Sequence, residues 1–227
     1  MFIGHFAVAF AAKKAAPRVS LGTLVIAATF LDVVWPVLVL LGIESFRIAP
    51  GITAFSPFDF QSYPWSHSLL MAFVWSVLLG LAYRAASGDR AGALWVGAAV
   101  ASHWVLDFFT HRPDMPLYPE GAGRFGLSLW NSVPATFAVE GLMFVLAVAL
   151  YTKTTRAKDG VGSTAWWAFV AVLLLLYIPS PFSPPPGERV VAVVGIAALL
   201  VFAPWAYWID RHREVRPAPA IRTAGSR

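Results

Sequence analysis

The chain has 227 residues, of which 58% are apolar and only 13% charged, with a formal net charge of +5. A soluble domain carries roughly a quarter charged residues and under half apolar ones, so this balance excludes one and leaves an integral membrane protein. The lack of cysteine excludes disulfides, thiolate metal sites and cysteine nucleophiles, and membrane topology explains the grouped basic residues better than nucleic-acid binding does.

A first apolar segment, residues 2–16, ends in Lys13 and Lys14. Signal peptides carry their positive charge ahead of the apolar run, so this segment is expected to be retained with its N-terminus outside. Six longer stretches follow at 20–42, 66–84, 91–111, 133–151, 163–178 and 189–208. Each is long enough, or nearly so, to cross about 30 Å of hydrocarbon at 1.5 Å per residue. Pro17, the Ser87-Gly88-Asp89 turn, the Pro/Gly-rich stretch 113–126 and the run PSPFSPPPGE separate them.

Lys13, Lys14 and Arg18, then Arg84 and Arg90, then Lys153, Arg156 and Lys158, and finally Arg211, Arg213, Arg216, Arg222 and Arg227 alternate onto one side. The positive-inside rule makes that side cytoplasmic and puts loops 43–65, 112–132 and 179–188 outside. The expected fold is all-α: a polytopic membrane helix bundle with six to seven transmembrane helices, N-out and C-in. A transmembrane domain takes residues 1–209, and a basic cytoplasmic tail, 210–227, is expected to be disordered.

The run SHWVLDFFTHRPD sets His103, Asp107 and His111 at i, i+4 and i+8, one stripe of a helix that otherwise reads as membrane-buried. Ionisable groups are costly in hydrocarbon and mark function by default. Measured from the outer helix ends, His67 lies at a helix mouth, His5 and Asp107 about 6 Å in, Glu140 about 10 Å in, and Asp32 and His103 about 12–15 Å in. All six fall in the outer half, from five helices, and so are expected to share one polar site. Taken singly, Glu140 also suits a local cap or pair, and His111 a place at a helix C-terminus. Imidazoles and carboxylates without sulfur suit Zn²⁺, or Mn²⁺ or Fe²⁺, and a divalent ion would keep the buried carboxylates ionised. An open coordination position would then activate water.

The order His5, Asp32, SHS with His67, then HWVLDFFT followed by YPE, then Glu140, resembles the LexA-regulated membrane-bound metal-dependent hydrolases. That resemblance implies a bacterial inner-membrane helical protein with hydrolase activity. More distantly the pattern is similar to zinc-dependent phospholipases C and P1-type nucleases. This likeness implies one zinc shared by His67, His103 and Asp107, further metal positions at His111 with Glu140 and at His5, and Asp32 as general base. FLDVVW keeps only one acid where the membrane family has P-D-x-D-H, and SYPWSHS lacks an earlier histidine and arginine, so one metal is expected rather than two or three.

The function expected is metal-activated hydrolysis of a phosphoester, less favourably a carboxylic ester, of a lipid or lipid-linked substrate at the outer side. Arg112 and Arg124 are the candidate phosphate-binding residues. The alternatives are a proton-coupled or metal-ion transporter and a bis-histidine haem protein through His67 and His103.

Overall fold

Residues 1–121 and 123–217 are described by the computed structural model. Helix α1 (Ile3–Ala15) closes with Lys13 and Lys14 in its last turn, where cations suit the negative end of the helix dipole. Ser20 caps α2 (Leu21–Ala28), its Oγ accepting from the Thr23 amide at 3.1 Å. At Thr29 the side-chain hydroxyl turns back onto the Val25 carbonyl, and α3 (Phe30–Leu40) leaves at 54°. The span expected at 20–42 is therefore a bent pair, with a threonine competing for backbone partners at the break.

A hairpin of β1 (Ser45–Ile48) and β2 (Phe58–Ser62) leads into the single turn α4 (Pro64–His67). Ser68 then caps α5 (Leu69–Ser87). Gly88, at φ +71°, reverses the chain in the left-handed region that favours glycine, and Asp89 caps α6 (Arg90–Thr110). The next connection holds a short ladder of β3 (Met115–Pro116) and β4 (Arg124–Phe125). Ser132 caps α7 (Val133–Thr154) and Asp159 caps α8 (Gly160–Tyr177). Between them β5 (Thr155–Ala157) pairs with β6 (Arg213–Val215), which follows α9 (Glu188–Arg211). The stretch expected as a tail from residue 210 thus begins as the end of a helix and a paired strand; Arg222 and Arg227 lie outside the described residues. None of the three ladders was visible in the hydropathy pattern.

Among the described residues five helices are long and apolar enough to cross a membrane, and the α2–α3 pair, counted as one span, makes a sixth. The remaining expected segment, α1, falls short: its 13 residues span about 20 Å at 1.5 Å per residue. It is enclosed by the other helices instead. Nine of its residues are buried, against three of the 19 in α5, which turns most of its surface outward. A helix surrounded by protein satisfies its own backbone and need not match the bilayer thickness. Around it sits an aromatic core, with the Phe10 ring 4.9 Å from Trp166 and 5.8 Å from Phe144. α5 and α6 approach closely through glycines: a Cβ on Gly97 would lie 3.0 Å from the Ser76 carbonyl oxygen.

The α1–α2, α5–α6 and α7–α8 turns meet the end of α9 at one end of the bundle. There Lys13 Nζ lies 2.9 Å from Asp210 Oδ2 and donates to the Val19 carbonyl, both side chains being largely buried. Removing one partner of a buried pair leaves an uncompensated charge, at a cost of about 3–5 kcal/mol. Lys13→Met is expected to destabilise the detergent-solubilised protein by that order in denaturant unfolding, and adding Asp210→Leu to recover most of the loss.

Candidate metal centre

At the opposite end from Lys13, side chains from four elements converge. His5 comes from α1, Asp32 from the first turn of α3, His67 from α4, and His103 and Asp107 from successive turns of α6. His5 Nε2 lies 3.2 Å from Asp107 Oδ1 and 3.9 Å from Asp32 Oδ2. His67 Nε2 is 3.6 Å from Asp32 Oδ1 and 3.7 Å from Asp107 Oδ2. His103 Nε2 is 3.6 Å from Asp32 Oδ1 and 3.2 Å from Asp107 Oδ2. Two overlapping triplets, His5–His103–Asp107 and Asp32–His67–His103, each bring their ligand-type atoms within 4.8 Å of one another. The Met1 amino nitrogen hydrogen-bonds Asp107 Oδ1 and reaches Thr110 Oγ1 at 3.5 Å.

The far side of each ring fixes what faces the cluster. His103 Nδ1 donates to the Ala28 carbonyl at 2.9 Å. The last carbonyls of a helix lack intrahelical partners, so the break after α2 is what frees that acceptor. Around His67, the Ser66 hydroxyl gives its one proton to Glu44 Oε2 at 2.6 Å and therefore accepts from His67 Nδ1 at 2.7 Å. Glu44 is itself held by the Trp65 and Ser66 amides, each at 2.8 Å. In both histidines Nδ1 is the donor to the protein, so that Nε2 is the nitrogen facing two carboxylates. Such an arrangement requires a shared proton or a cation between them. Among the described residues, His5 Nε2, His5 Nδ1 and His103 Nε2 are buried without a hydrogen-bond partner.

Two residues expected among the ligands also have partners outside the cluster. Glu140 Oε2 accepts from the Phe2 and Gly4 amides at 3.0 and 3.3 Å and so holds the buried start of α1, while its Oε1 is buried without a hydrogen-bond partner among the described residues. His111, just past the end of α6, has Nε2 4.0 Å from Asp107 Oδ2 and gives its Nδ1 proton to Asp114 at 3.1 Å. Its ring rests against Trp130, with centroids 4.4 Å apart.

The two arginines are not brought to the cluster. Arg112 pairs with Asp59 and, at 3.1 Å, with Asp114, while Arg124 is exposed and donates to the Asp114 carbonyl oxygen at 3.3 Å. Arg112, expected with Arg124 to bind phosphate, is thus engaged by two carboxylates. The His67 and His103 rings, 5.3 Å apart and steeply inclined, point Nε2 at the same Asp32 oxygen rather than facing each other across a porphyrin plane.

Several functional neighbours had little sequence signal. Asp114 could have been found from its i+3 spacing to His111, and Ser66 from its place beside His67. Glu44, Ala28 and Tyr63, whose hydroxyl donates to Asp114 at 2.8 Å, have no local pattern. Asp32 is the exposed member of the cluster, its side chain 47% accessible, and it lines a cavity of about 500 Å³ together with His67, Asp107 and His111.

Apolar helices enclosing a buried histidine–aspartate cluster define a multi-pass membrane protein. The chain belongs to the YdjM inner membrane protein family, whose model matches residues 1–184. The match covers every member of the cluster and ends ahead of α9. No curated protein and no solved structure matches the chain.

Burial pushes the Asp114 carboxyl up, but hydrogen bonds from His111, Tyr63 and Arg112 outweigh it and hold the group below its ordinary 3.8. A carboxylate lowered on folding adds stability above the unfolded value, which is lost as pH falls through the folded value. Asp114→Asn is therefore expected to lower stability at neutral pH by about 1–3 kcal/mol and to remove part of the wild-type decline below 3.8, as read from thermal midpoints across pH.

Proposed function

We propose that the chain is a metal-dependent hydrolase that cleaves a phosphoester of a lipid or lipid-linked substrate. The observation that carries this reading is the convergence of three imidazole Nε2 atoms on Asp32 and Asp107, with two of those nitrogens buried and otherwise unpartnered. A nitrogen- and oxygen-donor set without sulfur fits Zn²⁺, and also Mn²⁺ or Fe²⁺. His67, His103 and Asp107 are the residues that would hold the ion, with His5 beside them and Asp32 at the cavity wall. An ion bound there supplies Lewis-acid polarisation of water and of a phosphoryl oxygen.

The chain's own groups supply the rest. Asp32, reachable from the cavity, accepts the proton of the attacking water. Glu44 acts through Ser66, and Ala28 directly, to hold two imidazoles in the tautomer that presents Nε2. Positive-inside topology makes the Lys13–Asp210 end cytoplasmic and so places the cluster in the outer half of the bilayer, with the N-terminus outside and the C-terminus inside. Transport is disfavoured by what lies between those two ends: Phe6, Phe10, Leu24, Val96 and Val100 form a buried apolar layer.

Elemental analysis of the purified protein tests the proposal. About one Zn, Mn or Fe per chain is expected, lost in His103→Ala and in Asp107→Ala. Glu44→Gln is expected to retain the site with metal affinity lowered 10- to 100-fold, by titration against a competing chelator. Wild-type protein that is folded, metal-free and still cleaves a chromogenic aryl phosphodiester would sink the reading.

A further inference from the structure

The cavity beside Asp32 extends well past the cluster. One wall is α9, where Val191, Gly195, Ala198, Leu199 and Phe202 all face it. Their spacing defines one face of the helix, opposite the exposed Val190, Val193, Val194, Leu200 and Val201. An apolar stripe turned inward would ordinarily be filled by a neighbouring helix; here part of it borders open space. Phe6, Val25 and Phe58 continue the apolar lining. At its edge lie Leu176, 51% exposed, and the exposed Pro184 and Pro186, so the cavity meets the surface between α8 and α9, beneath the proline-rich connection.

We propose that this chamber holds the hydrocarbon tail of a single-chain amphiphile, which enters from the bilayer between α8 and α9 with its head at Asp32. The phosphate identity of that head rests on the hydrolase reading above; the tail site does not. Three observations carry the assignment. Apolar cavities stay dry and take up apolar ligands, so a chamber lined this way suits hydrocarbon rather than water. Its mouth lies at Leu176, already exposed and apolar, on a helix able to span the bilayer. Its volume, about 500 Å³, is that of a site for one small ligand rather than for a whole two-chain lipid.

The test is photolabelling of the full-length protein in detergent with hexadecyl phosphate carrying a diazirine near the chain end. The expected label falls on the inward stripe of α9 or on Val25. Unlabelled hexadecyl phosphate should displace it at least about tenfold better than butyl phosphate, and better than a diacyl phosphatidic acid. Ala198→Trp, which fills the chamber, should lower labelling about tenfold while metal content stays at the wild-type level. Leu176→Trp at the half-exposed mouth is a second variant less exposed to folding failure, and it should slow labelling.

Label confined to Val190, Val194 or Leu200 and indifferent to both variants would overturn the proposal. Equal competition by butyl phosphate or by the diacyl lipid would overturn it too. Labelled chamber residues in a metal-free protein would leave the tail site standing and remove the hydrolase reading alone. Bound metal without chamber label would do the reverse.

Discussion

Two carboxylates inside an apolar bundle are the constraint to which the site end of this protein answers. Asp107 is almost fully buried, and Asp32 lines the cavity. An isolated buried carboxylate is too costly to keep ionised, so partners must be delivered from elsewhere in the chain. They come from α1, α4 and α6, three elements far apart in sequence, which must therefore pack against one another. The enclosed position of α1 follows from this: it carries His5 into the centre and leaves its own first amides to be answered by Glu140. The broken α2–α3 pair serves the same end, turning a helix terminus into the acceptor that orients His103.

Much of this was legible in the residues. Hydropathy gave the long helices, and caps such as Ser20, Ser132 and Asp159 fall where their helices begin. The i, i+4 pair His103 and Asp107 announced the cluster because a charged stripe on an apolar helix has few structural explanations. Depth counting also brought His5, Asp32 and His67 into the same half of the bilayer. For Glu140 depth says nothing of azimuth, and one of its carboxylate oxygens faces the neighbouring backbone of α1.

What sequence could not reveal depended on three-dimensional closure. Periodicity does not see a 54° break at a threonine whose hydroxyl bonds back to the Val25 carbonyl, nor two- to five-residue strands in stretches that read as loops. Arg112 was expected to be free because Asp59, its partner, lies 53 residues away in sequence. Glu44 was invisible for the same reason, since its influence on His67 passes through Ser66. The shortness of α1 was plain, but only the packing showed that an enclosed helix has no need to be longer.

α9 contributes no atom to the histidine–aspartate cluster. Its far end is anchored through Asp210 to Lys13 and through β6 to β5, while its near half walls the cavity and Pro204 interrupts the backbone bonds between the two. That part of the cavity wall is thus carried by a different helix from the cluster. Inheritance can alter the two separately: exchanging the inward residues of α9 reshapes the cavity and leaves the histidines and aspartates intact.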